Sequence, residues 1–188
     1  MAAMLNLDKA TGLVREARIV PSPNFDARPA GCDPSLIVVH GISLPPGQFG
    51  GPWIDRLFTN SLPADAHPYF ADIANLRVSA HFLVRRDGEL IQYVSVNHRA
   101  WHAGDSSHAG RTCCNDFSIG IELEGEDSTP YERAQYDCLA MLISTLRSEI
   151  ESLASAEIVG HSQIAPGRKT DPGEAFDWQG LHARLVAR

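Results

Sequence analysis

Two histidines and one aspartate stand at places where the sequence predicts strand ends and a constrained loop. His40 follows the apolar run Leu36-Ile37-Val38-Val39, and His161 follows a second strand candidate at 157–159. Asp171 lies ten positions after His161, in a segment whose prolines limit its freedom. Two imidazoles and one carboxylate are typical of catalytic zinc, whose fourth position is left for water. Zinc lowers the pKa of that water to about 7, so the pattern indicates hydrolysis at neutral pH.

The same three residue types leave two other interpretations open. Non-haem iron oxygenases also bind their metal through two histidines and one carboxylate. In that pattern the first histidine and the carboxylate usually lie very close together, unlike His40 and Asp171. Histidines at strand ends can also serve simply as hydrogen-bonding groups of a core. The residue types alone therefore indicate a metal site without deciding its metal.

The elements around these residues predict a mixed fold. Residues 79–94 are typical of two paired strands, joined by the turn Arg86-Asp87-Gly88-Glu89 with its Asp-Gly pair. Residues 117–123 alternate, which places the Glu122 carboxylate on the face opposite Phe117 and three aliphatic side chains. Strands and helices in this order predict the α/β (α+β) class, with a single mixed β-sheet flanked by helices. We expect one domain over residues 1–188, because no linker or repeat interrupts the chain.

One helix and two loops are predicted besides the strands. The helix starts with Thr129-Pro130-Tyr131-Glu132, in which Thr129 is the N-cap and Pro130 lies in the first turn, and it presents an apolar stripe at 139–150. Segment 162–174 contains two prolines and two glycines, so we expect an irregular loop there. Segment 47–68 is rich in glycine, proline and small polar residues, and we expect a mobile flap that gates the site.

Composition narrows the class of protein. Of 188 residues, 44% are hydrophobic and 21% charged, which indicates a globular chain rather than a disordered one. Sixteen Lys and Arg against 23 Asp and Glu give a net charge of −7, which argues against nucleic acid as a partner. The sequence shows neither a membrane-spanning run nor the apolar centre of a secretory signal. Cys32, Cys113, Cys114 and Cys138 form no C-x-x-C pair, so we expect free thiols in the cytoplasm.

Four stretches of the sequence carry a resemblance to a known family. They are Val39-His40-Gly41-Ile42-Ser43-Leu44-Pro45-Pro46-Gly47, Arg99-Ala100-Trp101-His102-Ala103-Gly104, residues 115–125, and Gly160-His161 through Lys169-Thr170-Asp171-Pro172-Gly173. In this order they resemble the AmpD family, the cytoplasmic 1,6-anhydro-N-acetylmuramyl-L-alanine amidases of bacterial cell-wall recycling. That family is similar in fold to phage T7 lysozyme-type amidases and peptidoglycan recognition proteins. One departure is Gly41, where relatives usually carry asparagine, which puts the fine specificity in doubt.

The resemblance implies a role for each residue of the site. His40, His161 and Asp171 would bind one zinc ion. Glu122 would handle protons, and Lys169 would stabilise the charge that develops on the amide oxygen. Amide hydrolysis needs all of these functions, because an amide is a poor electrophile with a poor leaving group. Glu124 has the same facing as Glu122 and is the second candidate, although its place at the strand end favours a structural role.

Four further side chains are candidate substrate contacts. Trp101 and the adjacent His102 lie in a Gly-flanked segment, where an indole could stack on a sugar or peptide. Arg77 and Arg111 could bind the carboxylates of a peptide stem, since arginine binds carboxylates bidentately. We expect His81 to be a hydrogen-bonded histidine of the core or one that supports the metal site.

The function implied by the resemblance is zinc-dependent hydrolysis of the bond between 1,6-anhydro-N-acetylmuramic acid and L-alanine. The substrates would be anhydromuropeptides, and the enzyme a cytoplasmic monomer. A non-catalytic module that recognises peptidoglycan fragments is the alternative. Such a module is expected to lack a ligand or the proton-transfer carboxylate, whereas this sequence has them all.

Overall fold

The computed structural model describes residues 5–187, which form short strands and helices around one larger sheet. The strands are β1 (Leu7–Asp8), β2 (Leu13–Val14), β3 (Arg18–Ile19), β4 (Phe25–Asp26), β5 (Leu36–Ile42), β6 (Phe82–Val84), β7 (Leu90–Gln92), β8 (Arg99–Ala100), β9 (Ser107–His108), β10 (Arg111–Thr112), β11 (Ser118–Glu124) and β12 (Glu157–Gly160). The helices are α1 (Trp53–Phe58), α2 (Pro68–Ile73), α3 (Arg133–Glu149), α4 (His161–Ile164) and α5 (Trp178–Val186), with 3-10 turns at Cys114–Phe117 and Glu151–Leu153.

The central sheet is mixed and has six strands in the order β12-β5-β11-β6-β7-β3. The first four of these run parallel, β7 is antiparallel to β6, and β3 is parallel to β7. In the register of β5 and β11, His40 pairs with Glu122. On its other side β5 pairs with β12, where Gly160 lies opposite Val39. The parallel strands therefore carry both histidines and the glutamate toward one edge of the sheet, as open parallel sheets do at their ligand sites.

The two faces of the sheet have different neighbours, because side chains alternate along a strand. Ile119, Ile121 and Leu123 of β11 belong to the larger core, together with the apolar stripe of α3. That stripe consists of Leu139, Leu142, Ile143 and Leu146, as the helical spacing predicted. Ser118, Gly120 and Glu122 alternate with these core residues and lie on the opposite face. Helix α3 thus covers one face, and the candidate site occupies the other, where α1 and α2 pack against Leu83 and Ile91.

Two strand boundaries differ from the sequence expectations. The strand predicted to end at His40 continues to Ile42, because β11 pairs with β5 as far as Glu124 opposite Ile42. Phe117 lies outside β11 and ends a 3-10 turn, since the pairing with β5 starts one residue later. Its ring packs with Leu36 instead of facing α3.

The helix and loop expectations also need correction. Helix α3 begins at Arg133 with Glu132 as N-cap, because Glu132 and Gln135 exchange side-chain and backbone hydrogen bonds. Thr129 donates its hydroxyl to Glu126 instead. Segment 162–174 is not wholly irregular, because α4 runs to Ile164. Segment 47–68 contains α1, whose Ile54, Leu57 and Phe58 are buried, and its motion as a flap stays a prediction.

The predicted hairpin is confirmed. Strands β6 and β7 pair antiparallel, and the Arg85 N–H donates to the Glu89 carbonyl across the turn. Gly88 has φ +89°, a conformation that glycine adopts without the steric cost of a side chain. Within residues 5–187, no helix combines the length and apolarity that crossing a bilayer requires.

Candidate active site

The side chains of His40, His161 and Asp171 converge on one point at this edge of the sheet. Nδ1 of His40 lies 3.0 Å from Nδ1 of His161, and Asp171 Oδ2 lies 3.3 Å and 3.1 Å from these two nitrogens. The loop after α4 returns to the sheet, where the Ser162 N–H donates to the Asp171 carbonyl. The N–H of Gly41 donates to the Asp171 carboxylate at 3.4 Å. The tertiary fold thus joins residues that are more than 100 positions apart.

The three donor atoms have the spacing that a tetrahedral metal ion requires. With zinc–ligand distances of about 2.0–2.1 Å, tetrahedral geometry places neighbouring donors about 3.3 Å apart. The observed separations of 3.0 to 3.3 Å agree with this value. Electron-rich atoms at this distance repel one another unless a proton or a cation lies between them. The donor set therefore fits one divalent cation.

In both histidines the second ring nitrogen, Nε2, lies within hydrogen-bond distance of a group on the side away from Asp171. His161 Nε2 lies 3.2 Å from the Ala103 carbonyl, and His40 Nε2 lies 2.9 Å from Nδ1 of His102. A hydrogen bond at Nε2 orients each ring and leaves Nδ1 for the metal. Burial lowers the pKa of His40 to about 4, so this ring is neutral at pH 7 and has a lone pair to donate.

Glu122 lies beside His40 on β11 and lines the same cleft. The residue is 8% exposed, and its Oε2 has no hydrogen-bond partner among the described residues. Burial raises the pKa of Glu122 well above its usual value, and the nearby Asp171 carboxylate raises it further. The Lys169 ammonium acts in the opposite direction. A carboxyl group in this state holds a proton more readily than an exposed one, which suits it to proton transfer.

Lys169 lies at the exposed rim of the same cleft. Its backbone N–H donates to the carbonyl of Ala165 at 3.0 Å, which fixes the chain just before Asp171. The cleft has a volume of about 270 Å³. Its polar floor is the site described above, and its apolar wall consists of Ile42, Leu44, Leu57, Phe58, Tyr69, Ile73, Leu76, Val78 and Trp101.

Three of the four predicted substrate contacts line this cleft or the one beside it. Trp101 is half-buried and separates the cleft from a second one of about 200 Å³. Arg77 is exposed and lines that second cleft together with Arg168 and Lys169. This flank of the site is therefore cationic, whereas the main cleft combines a polar floor with an apolar wall.

His102 and Arg111 interact mainly with other groups of the protein. His102 is 8% exposed and packs behind His40, although its edge also lines the cleft. Arg111 lines neither cleft. Its guanidinium lies 3.6 Å from the ring centroid of Phe117 and donates to the Ser35 hydroxyl. Arg111 is thus engaged in a cation–π contact away from the metal site.

Glu124 has the structural role that the sequence favoured. It is 2% exposed and forms an ion pair with Arg85 at 3.1 Å. It also accepts the Gly50 N–H at 2.6 Å, which attaches the segment before α1 to the sheet. Unlike in Glu122, both carboxylate oxygens of Glu124 have hydrogen-bond donors, so neither is free for proton transfer.

His81 is a hydrogen-bonded core histidine, as expected. Its Nδ1 accepts the Gly120 N–H at 3.0 Å, and its Nε2 lies 3.0 Å from the His98 carbonyl. Burial lowers its pKa to about 3, so the ring is neutral. It supports the strand beside the site without reaching the metal position.

Comparison with known proteins agrees with this geometry. Residues 30–174 match the N-acetylmuramoyl-L-alanine amidase family. The 1,6-anhydro-N-acetylmuramyl-L-alanine amidase AmpD of Salmonella typhimurium is 60% identical over 176 residues, covering 94% of this chain and 93% of the relative. The chain belongs to the AmpD amidase family. Members of this family are hydrolases that act on an amide bond.

Solved structures of amidases show the same fold. A crystal structure of a selenomethionine AmpD derivative has a TM-score of 0.92 and 58% identity, covering 96% of this chain and 99% of that one. The amidase AmiD from E. coli has a TM-score of 0.57 and 29% identity, covering 84% of this chain and 60% of that one. AmiD was solved in complex with anhydro-N-acetylmuramic acid-L-Ala-D-γ-Glu-L-Lys.

Some residues around the site of this AmpD-family chain have no clear signal in the sequence. The Tyr131 hydroxyl donates to the Pro172 carbonyl at 2.9 Å, directly after Asp171. A Cβ atom on Gly41 would collide with the same hydroxyl. The Tyr131 hydroxyl thus leaves no room for a Cβ atom at Gly41, the position that departs from the family pattern. Arg168 donates to the Ala103 carbonyl at 2.6 Å, which fixes the acceptor of His161.

Proposed function

We propose that this AmpD-family chain hydrolyses the amide bond between the lactyl group of 1,6-anhydro-N-acetylmuramic acid and L-alanine, with one zinc ion as cofactor. The observation that carries the proposal is the triangle of Nδ1, Nδ1 and Oδ2 donors beside a buried, unpartnered glutamate. The names of its relatives and the ligand of AmiD support the same substrate class.

His40, His161 and Asp171 are the proposed zinc ligands. When bound there, zinc supplies Lewis-acid chemistry, which polarises the amide carbonyl and makes water more acidic. The two neutral imidazoles and the single carboxylate leave a net positive charge on such a centre. That charge favours the approach of an amide oxygen as it becomes negative.

Glu122 is the proposed proton carrier. It takes a proton from the attacking water and gives it to the nitrogen of L-alanine, because an amine leaves readily only when protonated. The free Oε2 and the raised pKa suit both halves of this transfer. Because Glu122 lies in register with His40, its carboxyl group reaches the reacting bond from the strand next to the ligand.

Lys169 is the proposed partner of the amide oxygen. Its ammonium group carries a positive charge at the rim of the cleft that holds Glu122 and the ligands. A fixed cation near developing negative charge lowers the energy of the transition state more than that of the ground state. The position just before Asp171 ties the cation to the loop that also supplies a ligand.

The clefts on either side of Trp101 suit the two parts of a muropeptide. The apolar wall of the main cleft presents ring and aliphatic surfaces to a sugar or a methyl group, and we propose that Trp101 stacks on the substrate. Arg77 and its cationic neighbour Arg168 line the second cleft. We propose that they bind the carboxylates of the peptide, with Arg77 as the exposed and movable partner.

Buried Glu122 favours an enzyme over a module that only binds peptidoglycan fragments. A buried carboxyl group without a hydrogen-bond partner costs stability, and a binding module gains nothing from it. In an enzyme the same environment prepares the group for proton transfer.

The test is to incubate the purified, zinc-loaded protein with an anhydromuropeptide and to follow the products by mass spectrometry. We expect anhydro-N-acetylmuramic acid and a free peptide that begins with L-alanine. Glu122→Gln serves as the inactive control, because it preserves the shape of the side chain. Binding of the muropeptide without cleavage would overturn the enzymatic function, and cleavage at another bond would overturn the assigned substrate.

We propose further that the protein acts as a monomer in the cytoplasm on imported fragments. Cys32, Cys113, Cys114 and Cys138 are free thiols, in keeping with a reducing compartment. Light scattering after size exclusion measures the mass in solution, and a dimer would contradict the monomer. Fractionation of cells that produce the protein tests the compartment.

A further inference from the structure

A chain of hydrogen bonds connects the backbone carbonyl of Cys114 to Nε2 of His40. The Ser118 hydroxyl lies 2.5 Å from the Cys114 carbonyl and 3.0 Å from His102 Nε2. The other nitrogen of His102, Nδ1, lies 2.9 Å from His40 Nε2. Ser118, His40 and His102 are all buried, so water does not compete for these contacts.

The chemistry of the groups fixes the direction of each bond. A carbonyl oxygen only accepts, so the Ser118 hydroxyl donates to Cys114. Because this donates the only hydroxyl proton to Cys114, the Ser118 oxygen must accept the hydrogen bond from Nε2–H of His102. A neutral imidazole carries a single proton, so Nδ1 of His102 accepts. The proton between the two rings therefore belongs to Nε2 of His40.

From this order we infer that Ser118 and His102 are positioning residues, which hold His40 in the tautomer whose Nδ1 lone pair faces the zinc position. The inference rests on the zinc site of the proposed function. Neither residue contributes an atom to the triangle of donors. Their effect is exerted through His40, and it concerns how tightly the metal binds.

The opposite tautomer would weaken the site directly. If Ser118 did not accept from His102, the His102 proton could move to Nδ1 and be donated to His40. His40 would then carry its own proton on Nδ1, in the position where the metal binds. Before zinc could bind, both rings would have to exchange protons.

The surrounding structure leaves His102 little freedom to escape this arrangement. A Cβ atom on Gly120 would collide with the His102 ring, so the ring packs directly against the backbone of β11. Asn115 Oδ1 accepts the N–H groups of both His102 and Ala103, at 3.0 Å and 2.8 Å. Since Ala103 provides the carbonyl behind His161, one fixed segment orients both histidine ligands.

The first test is the variant Ser118→Ala, which removes the hydroxyl without touching His40. Zinc affinity is measured by competition with a chromophoric chelator, and we expect it to fall about 10-fold to 100-fold, the range seen when groups that orient metal ligands are removed. Nitrogen-15 NMR of metal-free protein labelled in histidine should show His40 protonated on Nε2 in wild type. In Ser118→Ala it should show a mixture of tautomers.

The matched control is Ser22→Ala. Ser22 is also buried, and its hydroxyl likewise donates to a carbonyl, that of Phe58, and accepts from a nitrogen, that of Asn24. It has no connection to His40. We expect Ser22→Ala to reduce stability as any lost buried hydrogen bond does, with zinc affinity unchanged.

A second pair of variants replaces His102 itself, in case Ser118→Ala does not fold. In His102→Gln the side-chain oxygen can accept from His40 while the amide donates to Ser118, so zinc affinity should stay within a few-fold of wild type. His102→Leu can do neither and should bind zinc at least 10-fold more weakly than His102→Gln.

The outcomes separate this inference from the proposed function. If wild type binds no zinc, the proposed zinc site is wrong. If wild type binds zinc and the Ser118 and His102 variants bind it equally well, the site stands and the positioning role is overturned. Equal losses in Ser118→Ala and Ser22→Ala would also overturn it, because they would show an effect of stability alone.

Discussion

Glu122 and His40 occupy opposed positions on two neighbouring parallel strands, and both side chains lie on the face that α3 leaves uncovered. The distance between the proton carrier and a metal ligand is therefore set by the spacing of strands, which is about 4.8 Å. Neither residue depends on a flexible loop for its place. By contrast Asp171 and Lys169 come from the loop after α4.

Glu122→Gln should abolish catalysis and stabilise the metal-free protein at neutral pH. The folded state raises the pKa of this carboxyl, so as the pH rises above about 4.5 the unfolded chain releases a proton that the folded chain retains. Wild type thus loses stability between the unfolded and the folded pKa, and glutamine does not. Thermal unfolding of metal-free protein from pH 4 to pH 8 measures the difference. A variant that is less stable than wild type at pH 7.5 would contradict the raised pKa.

Glu124→Ala should destabilise the protein, in contrast to Glu122→Gln. Removing this carboxylate takes away the partner of half-buried Arg85 at 3.1 Å and leaves it Asp55 at 3.9 Å and Glu89 at 3.7 Å, so the free energy of unfolding should fall by about 1.5–3 kcal/mol. Zinc affinity should not change, because Glu124 does not contact the ligands. Urea unfolding and chelator competition check the two statements. A stable but inactive Glu124→Ala would transfer the proton-carrying role from Glu122 to Glu124.

Lys169→Ala should lower kcat by about 100-fold to 1,000-fold, the cost of removing one group that stabilises an oxyanion. The chain offers a matched control in Lys9, which pairs with Glu149 on the surface. Lys9→Ala removes the same charge and should leave kcat unchanged. Steady-state kinetics on the anhydromuropeptide decides, and near-normal turnover of Lys169→Ala would exclude the role given to its ammonium.

Gly41→Ala should destabilise the protein by about 1–3 kcal/mol, because the new methyl group meets the Tyr131 hydroxyl. Tyr131→Phe removes that hydroxyl and its hydrogen bond to Pro172. In the Tyr131→Phe background, Gly41→Ala should cost less than it does in wild type. A double-mutant cycle of unfolding free energies measures this coupling. Strictly additive effects would mean that Tyr131 does not limit the residue at position 41.

Removal of the metal should abolish activity and lower the melting temperature. A ligand that binds the folded state alone stabilises it, and the three donors repel one another when nothing lies between them. Treatment with a zinc chelator followed by return of zinc should restore both properties. Metal analysis of the protein as purified identifies the ion, and iron in place of zinc would contradict the proposed cofactor.

Local patterns in the sequence were sufficient for the main elements of the fold. The hairpin turn follows from the Asp-Gly pair, and the stripe of α3 follows from helical spacing, because both depend on residues near each other in the chain. The N-cap of α3 was misassigned, since Thr129 and Glu132 are both capable caps and hydrogen bonds with Glu126 and Gln135 decide between them.

For the site, the residue types and the family resemblance named the ligands, the glutamate and the lysine, because the chemistry of amide hydrolysis restricts which side chains can serve. Tertiary structure decided how they meet and what supports them. His102, a predicted substrate contact, lines the cleft and also lies behind His40 through a hydrogen bond that spans 62 positions. The Arg111 guanidinium stacks on the Phe117 ring away from the metal site, and the Tyr131 hydroxyl fills the space beside Gly41. Such contacts depend on the register of neighbouring strands and on the packing between distant segments, which no local pattern of residues records.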